Sequence, residues 1–136
     1  MRFVALVIFA MLSLSSQPSI AAQFRCHLFV IPNEIASCDF MSELVTDSFV
    51  AKYPAAKFEI VVLAGRSYFP NNNLSMAYAT AGVVPLAAKG MSYVPEKRYG
   101  NAVTDTRNLT SAQQQEMLRD AIRGAVSELV VEATKR

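Results

Sequence analysis

Hydrophobic residues are arranged in three ways along this chain. An unbroken apolar run occupies residues 3–12, alternation of period two dominates residues 24–31 and 57–84, and a helical stripe runs from about residue 110 to the end. Each pattern predicts a different element.

The opening run follows the single charge of Arg2 and precedes the polar Ser15, Ser16 and Gln17, then Pro18 and small residues. It is shorter than the roughly 20 apolar residues that span a bilayer core. It matches the hydrophobic region of a secretory signal peptide, with Ser19-Ile20-Ala21 or the adjacent Ala22 as the cleavage site. Residues 1–22 are therefore expected to be a cleaved signal peptide and residues 23–136 a single globular domain. The mature protein is expected in the periplasm or outside the cell.

The alternation that follows predicts strands. In residues 24–31, Phe24, Cys26, Leu28 and Val30 share one face, and Arg25, His27, Phe29 and Ile31 the other. A first helix is expected next. Ser37 is its N-cap, Asp39 and Glu43 suit the positive end of its dipole, and Phe40, Met41, Leu44, Val45 and Phe49 recur at helical spacing. Pro54 ends it. Residues 57–64 make a second strand that is apolar on both faces, as in a central strand covered on both sides. Residues 65–69 can continue its pairing. Pro70-Asn71-Asn72-Asn73 is a turn, since proline presets φ and asparagine tolerates the left-handed region. Residues 74–84 then complete a β-hairpin. Within the glycine- and proline-broken segment 85–108, residues 91–94 are a candidate short fourth strand.

The last helix starts at Thr110, which forms a capping-box pattern with Gln113. Leu118, Ala121, Ile122, Ala125, Val126, Leu129 and Val130 make its apolar stripe. The expected fold class is α+β: a small two-layer sandwich with a mostly antiparallel sheet of three or four strands and two helices, in the order β-α-β-β-(β)-α. If the first two strands are parallel neighbours, the crossover through the first helix is expected to be right-handed.

Composition alters this picture in two places. The chain has 13 Lys and Arg against 11 Asp and Glu, and loss of Arg2 with the signal leaves a mature balance of +1. So small an excess argues against nucleic acid as a partner and against electrostatic attachment to anionic membranes. Its two cysteines, Cys26 and Cys38, allow one pairing, and a disulfide is the expectation in an exported protein.

Candidate chemistry is sparse. His27 is the sole histidine, and as a neighbour of Cys26 on a strand it faces the other way. Asp39, Glu43 and Asp47 repeat every four residues, which is more often a solvated helix face than a cation site. Phosphate loops, nucleophile elbows and zinc-protease motifs are absent, and no residue set calls for a metal or a cofactor. Residues 65–73 and 89–100 have the tyrosine, arginine and asparagine content of recognition surfaces, with Arg66, Tyr68, Tyr93, Arg98 and Tyr99 as candidate binding residues. Asn73-Leu74-Ser75 and Asn108-Leu109-Thr110 match the glycosylation acceptor pattern, a match common by chance. The expected function is that of a small exported binding or interaction protein, such as an inhibitor, an immunity-type partner or an accessory envelope factor, acting on another protein or a cell-envelope ligand. The alternatives are a small secreted enzyme assembled around His27 with an acid, and a self-assembling envelope component.

Overall fold

A computed structural model describes residues 24–31, 38, 41–86 and 95–135. Strand β1 (Arg25–Ile31) is followed by two short helices, α1 (Met41–Leu44) and α2 (Asp47–Lys52). The hairpin of β2 (Phe58–Phe69) and β3 (Leu74–Pro85) turns through a 3-10 segment, Pro70–Asn72. Strand β4 (Tyr99–Asp105) and the long helix α3 (Ser111–Thr134) complete the order. The sheet runs β1-β2-β3-β4, with β1 parallel to β2 and the other pairs antiparallel. This is the α+β arrangement that the alternation and the helical stripe predict.

Register separates two faces. Cys26, Leu28 and Val30 of β1, Ile60, Val62 and Ala64 of β2, Ala77, Ala79 and Ala81 of β3, and Val103 of β4 share the inner face. Onto it pack the buried Leu118, Ala121, Ile122, Ala125, Val126, Leu129 and Val130 of α3, the stripe read from the sequence. Thr110 caps α3 as expected: its side chain accepts from Gln113 N–H, and Gln113 accepts from Thr110 N–H at 2.9 Å. Asn73 closes the hairpin with φ 48°, in the left-handed region its side chain tolerates.

Two expectations, on the first helix and on the cover of β2, are corrected, and the fourth strand is located. The first helix is not continuous. Thr46 interrupts it, accepting from Phe49 N–H at 3.3 Å to cap α2, so Glu43 and Asp47 do not share one helical face. Glu43 instead pairs with Arg123 of α3 at 2.7 Å; Ser37, Asp39 and Phe40 lie outside the described residues. The fourth strand is Tyr99–Asp105, and the candidate segment 91–94 lies outside the described residues. Strand β2 is central, but its outer face is only partly covered: Glu59 and Val61 are buried, whereas Leu63 is exposed.

An aromatic chain holds α2 in place. Phe49 packs on Phe24 at 5.6 Å and on Tyr53 at 5.2 Å, and Tyr53 meets Phe58 edge-on at 5.3 Å. Lys52 Nζ donates to Ala133 O at 2.5 Å, tying α2 to the end of α3. Cys26 and Cys38 form a disulfide with Cα atoms 6.2 Å apart, which anchors β1 to the segment before α1. Bonds of this kind persist in oxidising compartments. Among the described residues, no helix is long and apolar enough to cross a membrane.

Helix α3 lies close to the sheet because both surfaces are small. The alanine row of β3 shares the core with Ala121 and Ala125 of α3, and Asn101 of β4 reaches into the space above Gly124. A Cβ there would overlap the Asn101 amide and stand 3.0 Å from the Asn101 Cβ. Gly124→Ala is therefore expected to destabilise the protein by up to about 2 kcal/mol, the overpacking cost of about 1–3 kcal/mol being partly offset by the roughly 1 kcal/mol alanine gains in a helix interior. Thermal unfolding of Gly124→Ala and of Gly124→Ala/Asn101→Gly checks this, with recovery expected in the double variant. Cys26→Ser/Cys38→Ser is expected to lower unfolding free energy by about 3 kcal/mol in urea titrations, for a ring of this length.

Candidate functional site

Where the hairpin approaches its turn, the inner face changes character. Ile60, Val62 and Ala64 give way along β2 to Arg66 and Tyr68, and the alanine row of β3 ends at Ser75. Register places Tyr68 opposite Ser75 and Arg66 opposite Ala77. It also places Asp105 of β4 opposite Ser75. The first two turns of α3 bring Gln114 and Met117 over this end. Together Arg66, Tyr68, Ser75, Ala77, Gln114 and Met117 line a cleft of about 200 Å³.

The cleft has an organised polar wall. Arg66 Nη1 donates to Gln114 Oε1 at 3.0 Å, and Gln114 Nε2 donates to Leu109 O at 3.4 Å, which sets the orientation of the Gln114 amide. Ser75 is only 4% exposed, and its Oγ has no hydrogen-bond partner among the described residues. Leaving a buried hydroxyl unpaired costs about 1–3 kcal/mol. Met117 and Ala77 contribute apolar surface.

The rim is tied down separately. Half-exposed Tyr68 donates its hydroxyl to Asn73 Oδ1 at 3.0 Å, and Asn73 Nδ2 donates to Thr106 O at 3.0 Å. The hairpin tip is thereby fastened to the chain leaving β4. Asp105 accepts from Arg107 Nε at 3.0 Å and from Arg107 N–H at 2.8 Å. The Arg107 side-chain bonds, then its backbone bond, hold the Asp105 carboxyl down at about 2. Register places Asp105 opposite Ser75, and the positive end of the α3 dipole lies at the same edge of the sheet.

The candidate residues fall into two groups. Arg66 and Tyr68 line the cleft. Arg98 is exposed in the loop before β4, and Tyr99 is an inner-face residue of β4 opposite Ala81 that packs against the core. Ala81 lies six positions along β3 from Ser75, so Tyr99 stands about 20 Å from the cleft end at the usual rise per strand residue. Tyr93 lies outside the described residues. Residues 65–69 continue the pairing of β2, as the sequence allowed, so of the segment 65–73 only residues 70–73 form the turn. Ser75, Gln114 and Met117 were not among the candidates. Ser75 had a signal: it is a polar residue in the inward register of Ala77, Ala79 and Ala81.

His27 lies on the outer face, with Nε2 2.9 Å from Glu59 Oε2. Glu59 is buried and His27 is half-exposed, so the imidazole supplies a partner for a carboxylate withdrawn from water. Among the described residues, no group of three or more His, Cys, Asp or Glu side chains is placed to hold a metal ion. No protein-family model matches the chain, and neither does any curated protein or solved structure.

Asp105 provides a direct electrostatic test. Its carboxyl titrates lower in the folded protein than its ordinary 3.8. The pair's contribution to stability is thus complete above about pH 4 and is lost as pH falls through about 2. Carboxyl NMR titration is expected to give a midpoint of about 2 in the native protein, moving up toward 3.8 in Arg107→Ala.

Proposed function

We propose that this is a small exported binding protein that holds a partner at the cleft between the β2–β3 hairpin end and the start of α3. The leader pattern of residues 1–22 and the Cys26–Cys38 disulfide support an exported, oxidising setting. The observation that carries the binding reading is the Ser75 hydroxyl, buried and unpartnered in a cleft walled by Arg66, Gln114 and Tyr68. Buried polar groups are nearly always paired, and a functional role is one recognised reason for an exception. Arginine and tyrosine at its mouth are the residue types that dominate binding energy. Roles of this kind include an inhibitor, an immunity-type partner and an accessory envelope factor.

The enzyme reading has one feature in its favour, the His27–Glu59 pair. That pair supplies a base and an orienting acid but no nucleophile of its own. It also lies on the face of the sheet opposite the cleft, so the two readings are separable by mutation.

Native mass spectrometry of the protein taken gently from its exported compartment tests the proposal. The expected species lacks residues 1–22 and two hydrogens, and carries a bound partner or small molecule. Arg66→Ala/Tyr68→Ala is expected to reduce the bound fraction at least tenfold, which corresponds to about 1.4 kcal/mol, while Arg98→Ala and His27→Ala leave it unchanged. Undiminished capture by Arg66→Ala/Tyr68→Ala overturns the assignment of the cleft.

A further inference from the structure

We propose that the outer face of the sheet docks a second copy of this chain about a twofold axis that runs along the strands. One end of that face is already closed. Glu59, Val61 and Val84 are buried there, and the Pro95 ring occupies the place of a Cβ at Gly82. Toward the hairpin tip the face opens. Ile31 is 57% exposed, Phe29 46% and Leu63 41%. Phe29 keeps that exposure alongside an interaction within its own chain. Contiguous exposed apolar surface of this kind marks a site of interaction.

Register makes the open part bulky on one side and flat on the other. Phe29 of β1 and Leu63 of β2 continue across the sheet into Thr80 of β3 and Gly100 of β4. In the next row Ile31 and Gly65 continue into Tyr78 and Ala102. The end of the Tyr78 ring overlaps the place of a Cβ at Gly65, which confirms that both lie on this face. At Gly100 the nearest atom to such a Cβ is 3.5 Å away, so that corner has room.

An axis along the strands, midway between β2 and β3, sets β1 of one copy over β4 of the other and β2 over β3. Large then meets small in each row: Phe29 over Gly100, Leu63 over Thr80, Ile31 over Ala102, Tyr78 over Gly65. An axis across the strands would stack β1 on β1 and set bulk against bulk. Two sheets pack face to face with their strands nearly aligned, and an isologous contact of this kind closes on itself.

Charge and area fit the same occupant. From the Phe29 row to the turn, no described residue of this face is charged, so two copies meet without like-charge repulsion. The face also lacks the basic residues that hold a protein on anionic lipid. With strands about 4.8 Å apart and like-facing rows about 6.7 Å apart, it projects to roughly 400 Å² per copy. Side chains standing out of the plane bring the total for two copies to about 1,000 Å², the lower bound for a specific contact. The dimer is therefore weak and reversible. It leaves the cleft open, because the cleft belongs to the other face.

The experiment is sedimentation velocity of the mature, oxidised protein between about 1 µM and 1 mM. A reversible dimer is expected within that range. Ile31→Lys is expected to weaken it at least tenfold, since it presses a charge onto Ala102 of the other copy. Ile31→Lys/Ala102→Asp is expected to recover it to within about threefold. Each lysine then meets the aspartate of the other copy, whereas the two positions in one chain stand about 14 Å apart. Gly100→Ala is expected to weaken the dimer about threefold with the thermal midpoint unchanged or higher, since its own chain has room for the methyl group. A monomer throughout the range overturns the proposal, and retention of that monomer on phosphatidylcholine vesicles assigns the face to a lipid surface instead. A dimer that Ile31→Lys and Gly100→Ala leave intact overturns the choice of face. A dimer that the double variant fails to recover overturns the twofold arrangement.

Discussion

Everything in this fold depends on how closely α3 approaches β3. Ala77, Ala79 and Ala81 leave the sheet surface almost flat, and Ala121, Gly124 and Ala125 give the helix a matching shallow side. Dispersion contacts fall steeply with separation, so this seating allows no extra methyl group. The larger Ile60, Val62, Ile122, Val126 and Leu129 complete the core around the contact. Position along the helix is fixed by the same contact, because Asn101 of β4 packs over Gly124. The start of α3 is consequently held at the hairpin end of the sheet.

That placement explains why a cleft exists. Alanine against alanine closes the layers in the middle of the sheet. At Ser75 the row turns polar, and Arg66 and Tyr68 replace the aliphatic side chains of β2. Gln114 and Met117 occupy the corresponding turns of the helix. The inner face thus grades from a dry core to a donor-lined recess within one pair of strands. Under the proposed binding role, stability and recognition compete most directly at Ser75, where a methyl group would pack as well as its neighbours on the alanine row and would leave no hydroxyl.

Helix α3 and the β2–β3 hairpin were legible in the sequence because local and tertiary signals agree there. Thr110 and Gln113 cap a seven-residue apolar stripe that is buried as read, and Pro70 and Asn73 turn between two alternating runs. Strand β4 was hidden because its inward positions include Asn101 and Asp105, so period two does not separate apolar from polar. The break at Thr46 was hidden because the apolar spacing continues across it; only the capping hydroxyl marks it. Of the site, Arg66 and Tyr68 were readable from residue type alone. Gln114 was not, because it reads as part of the polar face of α3 until the hairpin end is known to lie beneath the first turns. Distance also separated what composition had grouped: Tyr99 and Tyr68 belong to opposite ends of one sheet.

The cross-link has a consequence for the order of assembly. Strand β1 pairs with β2 in parallel, so Cys26 must find Ile60, 34 positions away, whereas the hairpin strands meet across four residues, Pro70 to Asn73. Closing longer loops costs more entropy, and the parallel edge strand is therefore the late arrival. Joining Cys26 to Cys38 gives the chain a shorter path, since only 22 positions separate Cys38 from Ile60. By the logarithmic dependence of loop closure on length, the shortcut removes about 0.4 kcal/mol from that search, roughly a twofold gain in the rate of docking. The oxidised chain thus carries its first strand to the sheet on a shortened tether, and the bond acts during folding as well as after it.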